Sequence, residues 1–168
     1  MIRSFNGKTP RIAETAFISE AAYVIGDVEI GEHSSIWPGA VVRGDVALIK
    51  IGNNSQIEDN CVVHSGETLL IGDNVHIGHS VVIHCARIGN DVLIGNHATV
   101  LDNVEIGNSC IIAAHSLVSE RKKIPDESFI AGVPAEVKGK STQAQLSRLS
   151  DGVKYYIKLA AEYKRQGL

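Results

Sequence analysis

The chain has 168 residues and a formal net charge of −3, which suits a single compact domain. That near-neutral balance excludes the clustered basic face that nucleic acid or an anionic membrane surface would require, and no apolar run approaches the roughly 20 residues of a membrane-spanning helix. Aromatics are only 5% of the residues, so a slim core of β-branched side chains is expected rather than a thick aromatic one.

From the N-terminus the sequence keeps a six-residue clock. Ile12, Ile18, Val24, Ile30, Ile36 and Val42 come first; after a gap of nine come Ile51, Ile57 and Val63, and after a gap of eight Ile71, Ile77 and Ile83. A gap of five leads to Ile88, Ile94, Val100, Ile106, Ile112, Val118, Ile124 and Ile130. Glycine often follows the marker, as at Gly31, Gly52, Gly72 and Gly89, and a small residue or Val often stands four places after it, as at Ala16, Ser34, Ala40, Ser55, Cys61, Val75, Ala98 and Cys110. A branched apolar residue, a tight turn and a small inward residue make a short flat strand and a corner. Three such units form one triangular coil of about 18 residues, and stacked coils share a core that no coil buries alone. The expectation is an all-β, single-stranded left-handed parallel β-helix over residues 1–135. A β-sandwich would show turn signals every 8–12 residues instead of this clock.

Beyond Ile130, the segment Ala131–Ala135 reads as an exit turn. Residues 136–168 then carry an exit segment and an amphipathic helix from about 141 to 166. Thr142 and Gln145 form a capping box. Leu146, Leu149, Val153, Tyr156, Ile157, Ala160 and Tyr163 make its apolar stripe, expected to cover an open face of the prism. Asp151–Gly152 marks a potential break. The segment Met1–Asn6 lacks an apolar signal core, and Cys61, Cys85 and Cys110 lack CxxC spacing, so reduced thiols and a cytoplasmic protein are expected.

The clock also assigns corners. Val42, Val63 and Ile83 are third markers of successive coils, so the residues after them, Arg43, His64 and His84, should stack in one column. Stacked imidazoles at that spacing can share a metal ion at ~2.0–2.1 Å. Asp59 and His79 follow second markers and form a column on another corner, about 15–20 Å away along the prism. His79 therefore reaches an ion held by His64 and His84 only from a neighbouring chain, and cyclic packing of three prisms would place it there. His33, His76, His97 and His115 read as solvated corner residues.

Arg43-Gly-Asp45, the run Ile57 to His64, Ile77-Gly-His79 and Ile83-His84 resemble the γ-class carbonic anhydrases, and the resemblance spans essentially the whole chain. It implies a homotrimer with Zn2+ (or Fe2+ or Co2+) on His64, His79 and His84, the Arg43–Asp45 pair near the metal, and Asp59 as a structural carboxylate near the interface. Glu58 stands where the family has a glutamine that orients metal-bound solvent. Gln56 stands at an asparagine position and, with Tyr156, is a candidate for substrate binding. The long acidic loop that carries a glutamate proton shuttle is replaced by the short turn Ser65–Leu70, with Glu67 at the matching offset, and Val46 replaces an acidic residue.

The implied activity is reversible hydration of CO2 to bicarbonate by a metal-bound hydroxide at trimer interfaces. Arg43 would place bicarbonate, and Glu58 or Glu67 would accept the proton. Two alternatives share the fold: a hexapeptide-repeat acyltransferase, which needs no metal, and a catalytically weak metal-binding assembly protein.

Overall fold

The computed structural model covers residues 1–168 and is a left-handed parallel β-helix of about seven turns with one C-terminal helix. The markers pair as their spacing predicts. On one face Ile12, Ile30, Ile51, Ile71, Ile88, Ile106 and Ile124 are successive ladder partners. On the second face the ladder is Ile18, Ile36, Ile57, Ile77, Ile94, Ile112 and Ile130. On the third it is Val24, Val42, Val63, Ile83, Val100 and Val118. All but Ile12 and Ile18 are buried. Burying one such side chain is worth ~2 kcal/mol, so the column of markers is the main apolar term of the fold.

The corners are made by left-handed backbone three residues after a marker, as at Asn54, Asn74, Asp91 and Ser109 along one edge, and Asn60, Ser80, His97 and His115 along another. Short polar side chains tolerate this conformation best. The small residues four places after a marker face inward: Ala40, Ser55, Cys61, Val75, Ala98 and Cys110 are all 0% exposed. Burial pushes the Cys61 and Cys85 thiols up to about 12, so they are inert packing groups.

Three departures from the six-residue clock fall at one corner, and the two insertions shape it. The strands Tyr23–Ile30 and Val41–Ile51 run unbroken around it, joining two faces into one sheet. Their register shifts between Gly26 and Val28, which leaves Asp45 to Leu48 as an outward step. Gly26 and Gly44 cross there so closely that a Cβ on Gly44 would lie 2.4 Å from the Asp27 carbonyl oxygen. The second departure is the turn after His64, in which Glu67 is exposed.

After the last coil, Ala135–Lys140 returns antiparallel on Ser128–Gly132. The C-terminal helix, Gln143–Gln166, starts at the capping box of Thr142 and Gln145 and ends at a left-handed Gly167. It lies over the second face and buries Leu149, Val153 and Ala160 against two satellite apolar clusters, one around Phe17 and Trp37 and one around Ile111. The break expected at Asp151–Gly152 does not form. The helix runs straight through because Gly152 sits over the His76 ring, and tertiary contact outweighs the ~1 kcal/mol propensity cost of a helical glycine.

Candidate functional site

The expected column exists. Arg43 pairs with His64 in the ladder, and Ile83 pairs with Val63, which stacks His84 on His64 one coil away. His64 Nδ1 and His84 Nε2 are 3.1 Å apart. Two nitrogens bound to one tetrahedral zinc at ~2.05 Å stand roughly 3.3 Å apart, so this pair has the spacing that a single ion requires. The other nitrogen of each ring is tethered: His64 Nε2 lies 3.2 Å from Asp45 Oδ1, and His84 Nδ1 lies 2.9 Å from Asp102 Oδ1. Carboxylates on the distal nitrogens fix the ring orientation and raise ligand basicity.

Asp45 reaches His64 because the outward step after Gly44 carries it across the corner. Arg43 donates to its second oxygen at 2.5 Å. Burial alone would raise the Asp45 carboxyl, but the hydrogen bond and charge of Arg43 outweigh that and leave it below the ordinary aspartate value. Burial, followed by the positive charge of Arg43, holds His64 below the ordinary imidazole value. His64 is therefore neutral at pH 7, the state a metal ligand needs.

His79 belongs to a different cluster. Its Nδ1 is 3.0 Å from Asp59 Oδ2, and its Nε2 is 2.6 Å from Glu58 Oε2. Glu58, Asp59 and His79 bring ligand atoms within 4.8 Å of one another. One chain thus carries two separate clusters, one with two imidazoles and one with one imidazole and two carboxylates, and does not bring His64, His79 and His84 together.

Glu58 is 2% exposed. Its Oε1 lies 2.5 Å from His76 Nε2. Burial raises Glu58, yet the hydrogen bond and charge of His76, helped by Tyr156 and His79, hold it below the ordinary glutamate value. Burial and then Glu58 push the Tyr156 hydroxyl upward, so it stays protonated. The Tyr156 ring packs edge-on against Trp37 and His76 at 5.4 and 5.1 Å, beside Glu58 rather than beside His64 and His84. Gln56 is fully buried under the helix, its amide donating to the Asn54 carbonyl at 2.5 Å while Oε1 has no partner. Glu67 is exposed, its backbone N–H donating to Ser65 Oγ at 3.2 Å.

A family model described as bacterial transferase hexapeptide (six repeats) matches residues 9–44 and 85–120. A Methanocaldococcus jannaschii protein named probable carbonic anhydrase is 51% identical over 151 residues, covering 89% of this chain and 95% of that protein. Gamma carbonic anhydrase 2, mitochondrial, of Arabidopsis thaliana is 42% identical over 161 residues, covering 91% of this chain and 58% of that protein. The chain belongs to the γ-class carbonic anhydrase family. The crystal structure of a hexapeptide transferase family protein from Anaplasma phagocytophilum superposes on this family member with a TM-score of 0.93 at 37% identity, covering 96% of this chain and 97% of that one.

Two residues of the site escaped the sequence reading of this γ-class chain. Asp102 stands two places after Val100, the next third marker, so the register does place it one coil beyond His84 and one position further along. His76 was expected to be solvated, but its side chain is 14% exposed. It precedes a second marker and so faces the helix, where a polar group needs a partner.

Proposed function

We propose that the chain is a carbonic anhydrase-like lyase that hydrates CO2 reversibly, working as a homotrimer with one zinc-class divalent ion at each subunit interface. His64 and His84 of one subunit and His79 of the next would hold the ion, with Zn2+ favoured and Fe2+ or Co2+ as alternatives. The observation that carries the reading is the 3.1 Å convergence of His64 Nδ1 and His84 Nε2, each ring tethered at its far nitrogen. The separate placement of His79 supports a neighbour's contribution, since the third imidazole has no route within one chain. Val46, Val62 and Val82, which flank the His64/His84 corner, are 64, 40 and 38% exposed, an apolar surface that a second copy would cover.

When bound, the ion would supply the Lewis acidity that makes hydroxide available near neutral pH. The rest is work for the chain. Asp45 holds His64 and Arg43 at once, leaving guanidinium N–H groups of the half-exposed Arg43 to place a bicarbonate anion. Neutral His64 keeps a lone pair for the ion. Glu58, ionised and held under the helix, would act on interface solvent through the His79 ring it contacts, and Glu67 in its exposed turn is the candidate to pass the proton to buffer. Gln56 and Tyr156 would act from beneath Glu58 rather than by direct substrate contact. No helix is long and apolar enough to cross a membrane, and a cytoplasmic protein fits the reading.

Metal analysis with stopped-flow CO2 hydration, on protein prepared without oxygen or chelator, tests this. One ion per subunit and turnover lost on chelation are expected. A well-folded trimer without metal overturns the reading, and acyl transfer that survives chelation would move the chain to the transferase alternative.

A further inference from the structure

Glu58 is the only charged residue that is buried. A carboxylate in that position needs donors fixed by the fold. Each oxygen has a histidine nitrogen of the next coil against it: His76 Nε2 at 2.5 Å from Oε1 and His79 Nε2 at 2.6 Å from Oε2. The two histidines are held very differently. The His76 ring is clamped under the helix, edge-on to Tyr156 at 5.1 Å and beneath Gly152. The His79 side chain is 46% exposed, with Asp59 as the hydrogen-bond partner of Nδ1 and the Glu58 carboxylate against Nε2, and Asp59 is itself 40% exposed. Rigidity therefore passes from the helix to His76, from His76 to Glu58, and from Glu58 to His79.

We propose that His76 is a positioning residue: by anchoring Oε1 of Glu58 it fixes where the His79 imidazole stands at the subunit contact. The proposal rests on His79 being the ligand lent to the neighbour's site, with Nε2 kept on Glu58 and Nδ1 exchanging Asp59 for the ion. It gives the C-terminal helix a role in the metal centre without touching it.

His76→Phe keeps a ring under Gly152 and removes the donor, and His76→Gln keeps a donor. His76→Leu serves in place of the phenylalanine variant if that ring is not accepted. In metal-free protein, the His79 imidazole NMR signals should shift in His76→Phe and return towards wild type in His76→Gln. Co2+ titration of the metal-free trimer should show affinity about tenfold weaker in His76→Phe, the scale of losing a partner behind a ligand, and within about threefold of wild type in His76→Gln. In a Glu58→Ala background, His76→Phe should add less than about twofold, since contacts acting through one group are not additive. Unmoved His79 signals, or an equal loss in both backgrounds, would overturn the proposal and leave His76 a packing residue. A wild-type trimer that takes no Co2+ would instead sink the metal reading, and the NMR comparison would still judge His76.

Discussion

Two histidine pairs stack along this prism. His64 and His84 have ring centroids 5.1 Å apart, and His97 and His115 have centroids 5.0 Å apart. The common spacing is the coil pitch, close to the ~4.8 Å between neighbouring strands. The rings differ in attitude. His97 and His115 lie flat on one another at 9°, at exposed corners with left-handed backbone. His64 and His84 are tilted by 52°, and their near nitrogens converge because Asp45 and Asp102 hold the far ones. Stacking supplies proximity in both places, and the carboxylate behind each ring supplies direction in one.

The largest test of that contrast removes ligands. His84→Ala and His79→Ala should each abolish metal binding, whereas His97→Ala should leave it unchanged, as read by metal content of the purified protein. Mixing the two defective chains should restore one site in each mixed trimer, since cyclic symmetry leaves a single interface with an intact His79 facing an intact His64/His84 pair. Recovery of no sites would place all the ligands within one subunit.

A smaller effect is expected from the tether. Asp102→Asn leaves His84 in place but weakens the partner behind it, and should lower metal affinity about 10- to 100-fold in competition with a chelator. An unchanged affinity would mean that the stack alone aims the ring, and the comparison with His97 and His115 would lose its meaning.

The smallest effect on turnover concerns Glu58. Because a glutamine can keep both contacts, its oxygen accepting from one histidine and its amide donating to the other, Glu58→Gln should leave CO2 hydration unchanged or raise it by up to about threefold, while a hundredfold loss rescued by imidazole buffer would make Glu58 the proton acceptor. Its acid stability should change more visibly. The folded Glu58 carboxyl sits below its ordinary value, so the stability it contributes is complete above about pH 4.3, the unfolded value, and disappears as pH falls through the folded one. Thermal unfolding against pH should therefore be flatter below about pH 4.3 in Glu58→Gln than in the wild type.

Much of this protein was legible from spacing. A six-residue clock with inserts after Val42 and Val63 and one residue fewer after Ile83 was enough to pair every marker with its neighbour, to stack Arg43, His64 and His84, and to put Asp59 and His79 on another corner, because a solenoid converts sequence period directly into spatial register. The helix was equally local, a capping box followed by an apolar stripe.

What depended on tertiary structure was which atoms meet across coils. Asp102 lies 18 residues from His84 and belongs to no motif, and nothing in its own neighbourhood announces a histidine partner. His76 looks like any corner histidine until the helix closes over it, and Gln56 looks available until the same helix buries it. Periodicity encodes the backbone ladder, whereas side-chain direction follows from burial, charge and the one element, the C-terminal helix, that lies outside the repeat.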